Sequence, residues 1–172
     1  HARQAFQILW EYDIDINNLK CPASKTSPLE HNCSGKHAAF LATCKKMNWP
    51  LESYLKGDHP LQIEIFRIVS ELLEIPNSEI NAERDDCGAP TLYLKLLEMS
   101  KLYSLLSSSE NAELEQISRA ITTNPLMISD NNKFDTEILK ASHGQVIGKG
   151  GAEGIQCLSK VNEGIGLALK VE

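Results

Sequence analysis

The sequence predicts an α+β fold, an antiparallel sheet flanked by helices. Two observations carry this. Up to Ala141, apolar residues recur mostly at the spacing of helices; from Gln145 onward the period falls to two, in consecutive runs joined by short glycine-rich links. Size and balance agree with it. The chain has 172 residues, 42% hydrophobic and 23% charged, which suits a single domain over 1–172 with a real core and argues against disorder.

Taken in order, Ala2 to Tyr12 reads as a helix with Ala2, Ala5, Phe6 and Leu9 on one face. Lys20 to His31 is a loop broken by Pro22 and Pro28. Gly35 to Met47 is a helix whose stripe is Phe40, Leu41, Cys44 and Met47, and Leu61 to Leu73 is another, carrying Ile65, Phe66, Val69, Leu72 and Leu73. Ile80 to Pro90 reads as a short strand or loop. Thr91 to Leu106, Asn111 to Thr123 and Phe134 to Ala141 read as helices, and Asn124-Pro125 as a turn. Strands follow over Gln145–Lys149, Ile155–Ser159 and Gly164–Glu172. The first helix has no N-cap before it and the last strand no turn after it, so the expectation is a piece of a longer protein, truncated at both ends.

Charge and cysteines narrow the function. The net charge is −6 with no Lys/Arg cluster, a poor match to nucleic acid. No apolar run approaches the roughly 18 residues of a membrane span. The five cysteines, Cys21, Cys33, Cys44, Cys87 and Cys157, are odd in number, widely spaced and lack a CxxC pair. That argues against a disulfide framework or a zinc ribbon, and for a cytoplasmic location.

Three segments carry candidate chemistry. In His31-Asn32-Cys33-Ser34-Gly35-Lys36-His37, Ser34 is placed to cap the next helix. The helix N-terminus would then favour thiolate at Cys33 and disfavour the ammonium of Lys36, lowering its pKa. Such a pair suits metal ligation or an activated nucleophile; equally, Ser34 only caps, Lys36 faces water and Cys33 is core. In Asp85-Asp86-Cys87-Gly88-Ala89-Pro90-Thr91, thiol and carboxylate could bind a metal or orient a water, or simply form an acidic surface turn over a buried thiol. In Gly148-Lys149-Gly150-Gly151-Ala152-Glu153-Gly154, the glycine density lets backbone approach a ligand beside Lys149, or makes a flexible hairpin turn. It is no P-loop, because the lysine precedes the glycines and no helix follows. His59 reads as a loop residue, Cys44 as core, and Asp135 as a cap for the short helix beginning beside it.

Together and in this order, the three segments resemble the hallmark stretches NNCSGKHA, DGCGxPT and KGGAEG of the asparaginase II family, the Rhizobium-type or class 3 L-asparaginases. Trp49-Pro50, His59-Pro60-Leu61-Gln62 and Phe134-Asp135-Thr136 are also similar, so the resemblance covers nearly the whole chain. It departs at His31 and Asp86, where Asn and Gly are usual, and at Ala39, where Gly is common. The resemblance implies a fold like the serine β-lactamases and DD-peptidases, hydrolysis of asparagine to aspartate and ammonia, and a homodimer. It implies a Zn2+ ion held by Cys33, Lys36 and Cys87, with Asp85 holding a water or the substrate amine, and Lys149 lining the nucleophile pocket. The family's nucleophile belongs to serine–lysine pairs that include a Ser-x-x-Lys helix. That spacing is read as absent here: Ser34-Gly35-Lys36 has the wrong spacing, and Ser104 and Ser107 are followed at that offset by Ser107 and Glu110. The nucleophilic serines are therefore expected upstream of residue 1, and these 172 residues alone are expected to be inactive. A glutaminase or β-lactamase-like hydrolase, or a catalytically silent zinc-binding protein, are the other classes open.

Overall fold

A computed structural model describes residues 1–23 and 26–171. The fold is α+β, and its contacts divide into two compact units, His1–Glu71 with Ile75–Tyr93, and Leu72–Glu74 with Leu94–Glu172. No helix among the described residues is long and apolar enough to cross a membrane.

The first unit is built on two packed helices, α1 (Ala2–Glu11) and α2 (Ser34–Met47). Its core joins Ala5 and Leu9 of α1 to Ala38, Leu41 and Cys44 of α2, with Tyr54, Leu61, Cys87 and Ala89 from farther along the chain. Two residues placed on the apolar stripes by spacing are exposed, Phe6 and Met47, because the buried arcs centre on Ala5–Leu9 and His37–Leu41–Cys44 instead. Asn48, in the left-handed conformation, ends α2. Helix α3 spans Pro60–Leu73.

The hairpin after it corrects the sequence reading. Strand β1 (Asn81–Arg84) pairs antiparallel with β2 (Pro90–Tyr93), from Asn81 opposite Tyr93 to Arg84 opposite Pro90. The residues expected to start a helix at Thr91 are thus strand, and the helix, α4, spans Leu96–Leu106. Thr91-Leu92-Tyr93 is a β-favouring run too short for periodicity to decide, and the turn before it supplies a pairing partner. The α4 start is fixed by Glu98, whose carboxylate accepts the Lys95 backbone N–H at 2.7 Å.

In the second unit α4 is followed by α5 (Ala112–Thr123), the short α6 (Pro125–Ile128) where only a turn was expected, and α7 (Phe134–Ala141). Strands β3 (Val146–Gly150), β4 (Ile155–Lys160) and β5 (Ile165–Lys170) form an antiparallel sheet in that order, close to the runs read from alternation. Gly148, Leu158 and Leu167 stand opposite one another on one face, and Ile147, Ser159 and Gly166 on the other. Helices cover both faces, each through a glycine. A Cβ on Gly166 would lie 2.0 Å from the Ser100 carbonyl of α4, and one on Gly148 would lie 3.0 Å from Ile138 Cγ2 of α7.

Candidate metal centre

The first two motifs meet in the first unit. Cys33 is itself the N-cap of α2, so Ser34 does not cap the helix as expected. Ser34 is buried, and its hydroxyl donates to the Leu29 carbonyl at 2.9 Å, tying the helix start to the 3-10 turn at Pro28–Glu30. The His31 ring accepts the Cys33 N–H at 3.1 Å through Nδ1. An asparagine side chain offers an acceptor at the same reach, which explains why His31 is tolerated where the resemblance expects Asn.

The second motif is the loop of the β1–β2 hairpin. Asp85 N–H donates to the Ala89 carbonyl at 3.0 Å and closes it, and Gly88 takes the left-handed φ of +82° that the turn requires. Asp85 Oδ1 accepts from the backbone N–H groups of Cys87 and Ala89, at 3.0 and 3.1 Å. Its other oxygen, Oδ2, accepts from Lys36 Nζ at 2.7 Å, across 49 residues of sequence. The ligand atoms of Cys33, Asp85 and Cys87 all lie within 4.8 Å of one another. Thus Cys33, Lys36, Asp85 and Cys87 form one cluster, with Cys87 buried and Asp86 exposed beside it.

The electrostatics correct one expectation. Burial pushes the Lys36 pKa down, but hydrogen bonds to Asp85 and to the Cys87 sulfur outweigh it, so its pKa is raised rather than lowered. The helix terminus acts on Lys36 more weakly than a carboxylate in contact with it. Burial also works to raise Asp85, yet hydrogen bonds from Cys87 and Lys36 hold it well below the usual carboxylate range. The Cys87 thiol is pushed up to about 11 by burial and by its hydrogen bond to Asp85. Metal-free, the cluster therefore holds an ammonium, a carboxylate and a protonated Cys87. The donor set nonetheless suits a thiophilic divalent cation: two sulfurs, an amine and a carboxylate converge, and the two sulfurs stand at a helix N-terminus and a hairpin loop fixed by its own hydrogen bonds.

Sequence reasoning missed two residues here. His37 and Tyr54 are fully buried. His37 Nε2 lies 3.0 Å from Cys87 Sγ, and its Nδ1 lies 2.6 Å from the Tyr54 hydroxyl. Burial first, and then the Lys36 charge, lower the His37 pKa from 6.5 to about 4, so the ring is neutral near pH 7. Its position one turn beyond Cys33, in line with Leu41 and Cys44, was the available signal. The expectation that Ser-x-x-Lys is absent is also corrected: Ser53-Tyr54-Leu55-Lys56 is one. It lies in turns between α2 and α3, not on a helix, with Lys56 exposed. Among the described residues no serine hydroxyl hydrogen-bonds a lysine amine.

Lys149 belongs to the second unit. It ends β3, half exposed, and its Nζ donates to the Gly150 carbonyl. Asp135 does not cap α7, as expected; it is buried inside the first turn, and its carboxylate accepts from Gly150 N–H at 2.9 Å and Gln156 Nε2 at 3.0 Å. Lys149 Nζ is 3.9 Å from the same carboxylate. The glycines of this motif bring it against its own chain, Gly148 against α7 and Gly150 against Asp135, rather than leaving an open loop.

No curated protein matches the chain. A family model described as L-asparaginase II matches residues 1–172. That match is continuous across both units, and it includes every residue of the thiol–amine cluster and of the Lys149 motif. The chain therefore belongs to the L-asparaginase II family.

Proposed function

We propose that this chain is part of an L-asparaginase that hydrolyses the side-chain amide of asparagine to aspartate and ammonia beside a Zn2+ site. The observation that carries the reading is the convergence of Cys33, Lys36, Asp85 and Cys87 in a chain of this family. Cys33, Lys36 and Cys87 would hold the ion. When bound, zinc supplies a fixed positive charge with a position open to water or substrate. Lys36 must give up its proton and its grip on Asp85 to ligate, which frees Asp85 Oδ2 to hold the substrate amine or a water. Asp85 Oδ1 stays engaged with its own loop, so the carboxylate keeps its aim.

In this reading a serine, in a serine–lysine pair on a β-lactamase-like scaffold, is the nucleophile. A neutral lysine takes the serine proton as Oγ attacks the amide carbon and passes it to the amide nitrogen as the C–N bond breaks, so that the nitrogen leaves as ammonia. Water then attacks the acyl-serine and releases aspartate. Lys149, at a strand end with half its surface open, lines that pocket. The full enzyme works as a homodimer in the cytoplasm.

A second reading has its own observation. The candidate ligands converge while no serine–lysine hydrogen bond is present among the described residues, which would suit a catalytically silent zinc-binding protein. Metal analysis and substrate kinetics separate the readings. About one zinc per chain, lost in Cys33→Ala and Cys87→Ala, supports the site. Full-length protein that turns over asparagine in preference to glutamine and a chromogenic lactam supports the enzyme. Zinc without turnover leaves the silent protein, and no zinc in folded, reduced wild-type chain rejects the site.

A further inference from the structure

His37 is a buried side chain that bridges a candidate zinc ligand to the core, and the ring orientation can be deduced from its partners. Tyr54 is fully buried, and its oxygen accepts the Lys20 backbone N–H at 2.9 Å. Its own O–H needs an acceptor, and His37 Nδ1, at 2.6 Å, is the acceptor within reach. If Nδ1 instead carried the proton, the Tyr54 O–H would be left buried without a partner, which is unfavourable. Nδ1 therefore accepts, and the ring proton sits on Nε2, 3.0 Å from Cys87 Sγ. The order is Lys20 N–H to Tyr54 O, Tyr54 O–H to Nδ1, and Nε2–H to Cys87 Sγ. The His37 and Tyr54 rings also meet edge to face, 86° apart with centroids at 5.6 Å, which holds the imidazole plane.

We infer that His37 is a positioning residue of the metal centre, donating an Nε2–H hydrogen bond to the Cys87 sulfur and fixing its direction, with Tyr54 fixing the tautomer. The inference rests on the zinc reading above. It gives the two sulfurs different surroundings: Cys87 is buried and held by a hydrogen bond, whereas Cys33 is half-buried at the helix start and has no such donor among the described contacts. A donor to a ligating sulfur draws off part of its negative charge and limits its rotation, and outer partners of this kind typically contribute about 10–100-fold to metal affinity.

The test is competition for Zn2+ against a chromophoric chelator, together with the sulfur-to-metal absorption of the Co2+-loaded chain, in wild type, His37→Phe, His37→Gln and Tyr54→Phe. The zinc-free variants are first compared with wild type by circular dichroism. His37→Phe keeps an aromatic ring but no donor, and is expected to weaken zinc about 10–100-fold and shift the cobalt–sulfur band. His37→Gln can place an amide N–H where Nε2 was and is expected to stay within about threefold of wild type. Tyr54→Phe frees the tautomer and is expected to lose about tenfold. A folded His37→Phe with wild-type affinity and spectrum overturns the inference. So does a folded His37→Gln that loses as much as His37→Phe, because packing rather than the donor would then matter. If His37→Phe does not fold, Tyr54→Phe with wild-type affinity and band overturns it. Failure of wild type to bind zinc sinks the zinc reading itself, and is seen before any variant is made.

Discussion

Each unit sets a lysine against an aspartate at a motif of the family, and the two pairs are built in opposite ways. In the first, Asp85 anchors its own loop with one oxygen and reaches Lys36 at 2.7 Å with the other, so both side chains are committed. In the second, Asp135 is the buried member, yet its oxygens go to Gly150 N–H and Gln156, and Lys149 stays half exposed at 3.9 Å. The lesson is that proximity of charges does not fix their use. Asp85 controls a lysine, whereas Asp135 controls the backbone of the strand that presents one. Lys36, held as an ammonium, can ligate only by letting Asp85 go, whereas the loosely held Lys149 suits contact with a substrate.

The most severe way to break this contrast is Asp135→Ala. It leaves the Gly150 N–H without its acceptor and the Gln156 amide with only the Cys157 carbonyl, and is expected to cost about 3 kcal/mol in urea unfolding. A cost below about 1 kcal/mol would mean that the strand end does not depend on Asp135. Next comes pH. His37 is neutral when folded, with a pKa of about 4 against 6.5 in the unfolded chain. Between those values the unfolded chain binds more protons, so stability falls as pH drops through that window, and this dependence is absent above 6.5. Zinc-free chain is expected to lose about 3 kcal/mol from this group on acidification from 6.5 to 4, and His37→Gln should flatten that part of the curve. Third, Lys36→Ala is expected to weaken zinc about 100-fold in chelator competition while Lys149→Ala leaves it unchanged. Equal losses from both would erase the distinction between the lysines. The smallest effect expected is on stability from Lys149→Ala, within about 0.5 kcal/mol by thermal or urea unfolding, as for an exposed, long ion pair.

Much of this was legible before any coordinates, for physical reasons that can be named. The β3–β5 sheet was readable because alternation over Gln145–Lys149 and Ile155–Ser159 is bounded by glycine and polar turns. Strand β2 was not, since three residues carry no period and only the hairpin partner decides them. The meeting of Cys33, Lys36 and Cys87 followed from the family resemblance and not from spacing, because nothing local in α2 announces a loop 49 residues on. The direction of the Lys36 shift failed for the same reason: a helix terminus can be read locally, but a carboxylate from another segment cannot. Asp135 looked like a helix-start acid by position, which it is, but its carboxylate serves the strand that returns past it. His37 went unremarked because a histidine inside a motif gives no sign of burial until Tyr54 and Cys87 are placed around it.

The Asp85–Ala89 turn has a consequence for the order of folding. Its closure uses partners within five consecutive residues, Asp85 N–H to Ala89 carbonyl and Asp85 Oδ1 to the Cys87 and Ala89 amides. Contacts this short close in microseconds or less, long before distant segments find one another. The thiol and carboxylate half of the centre can thus be shaped while α2 is still remote. Assembly of the centre then calls for one docking of a locally shaped tip onto the start of a helix, rather than a separate search by each of four side chains.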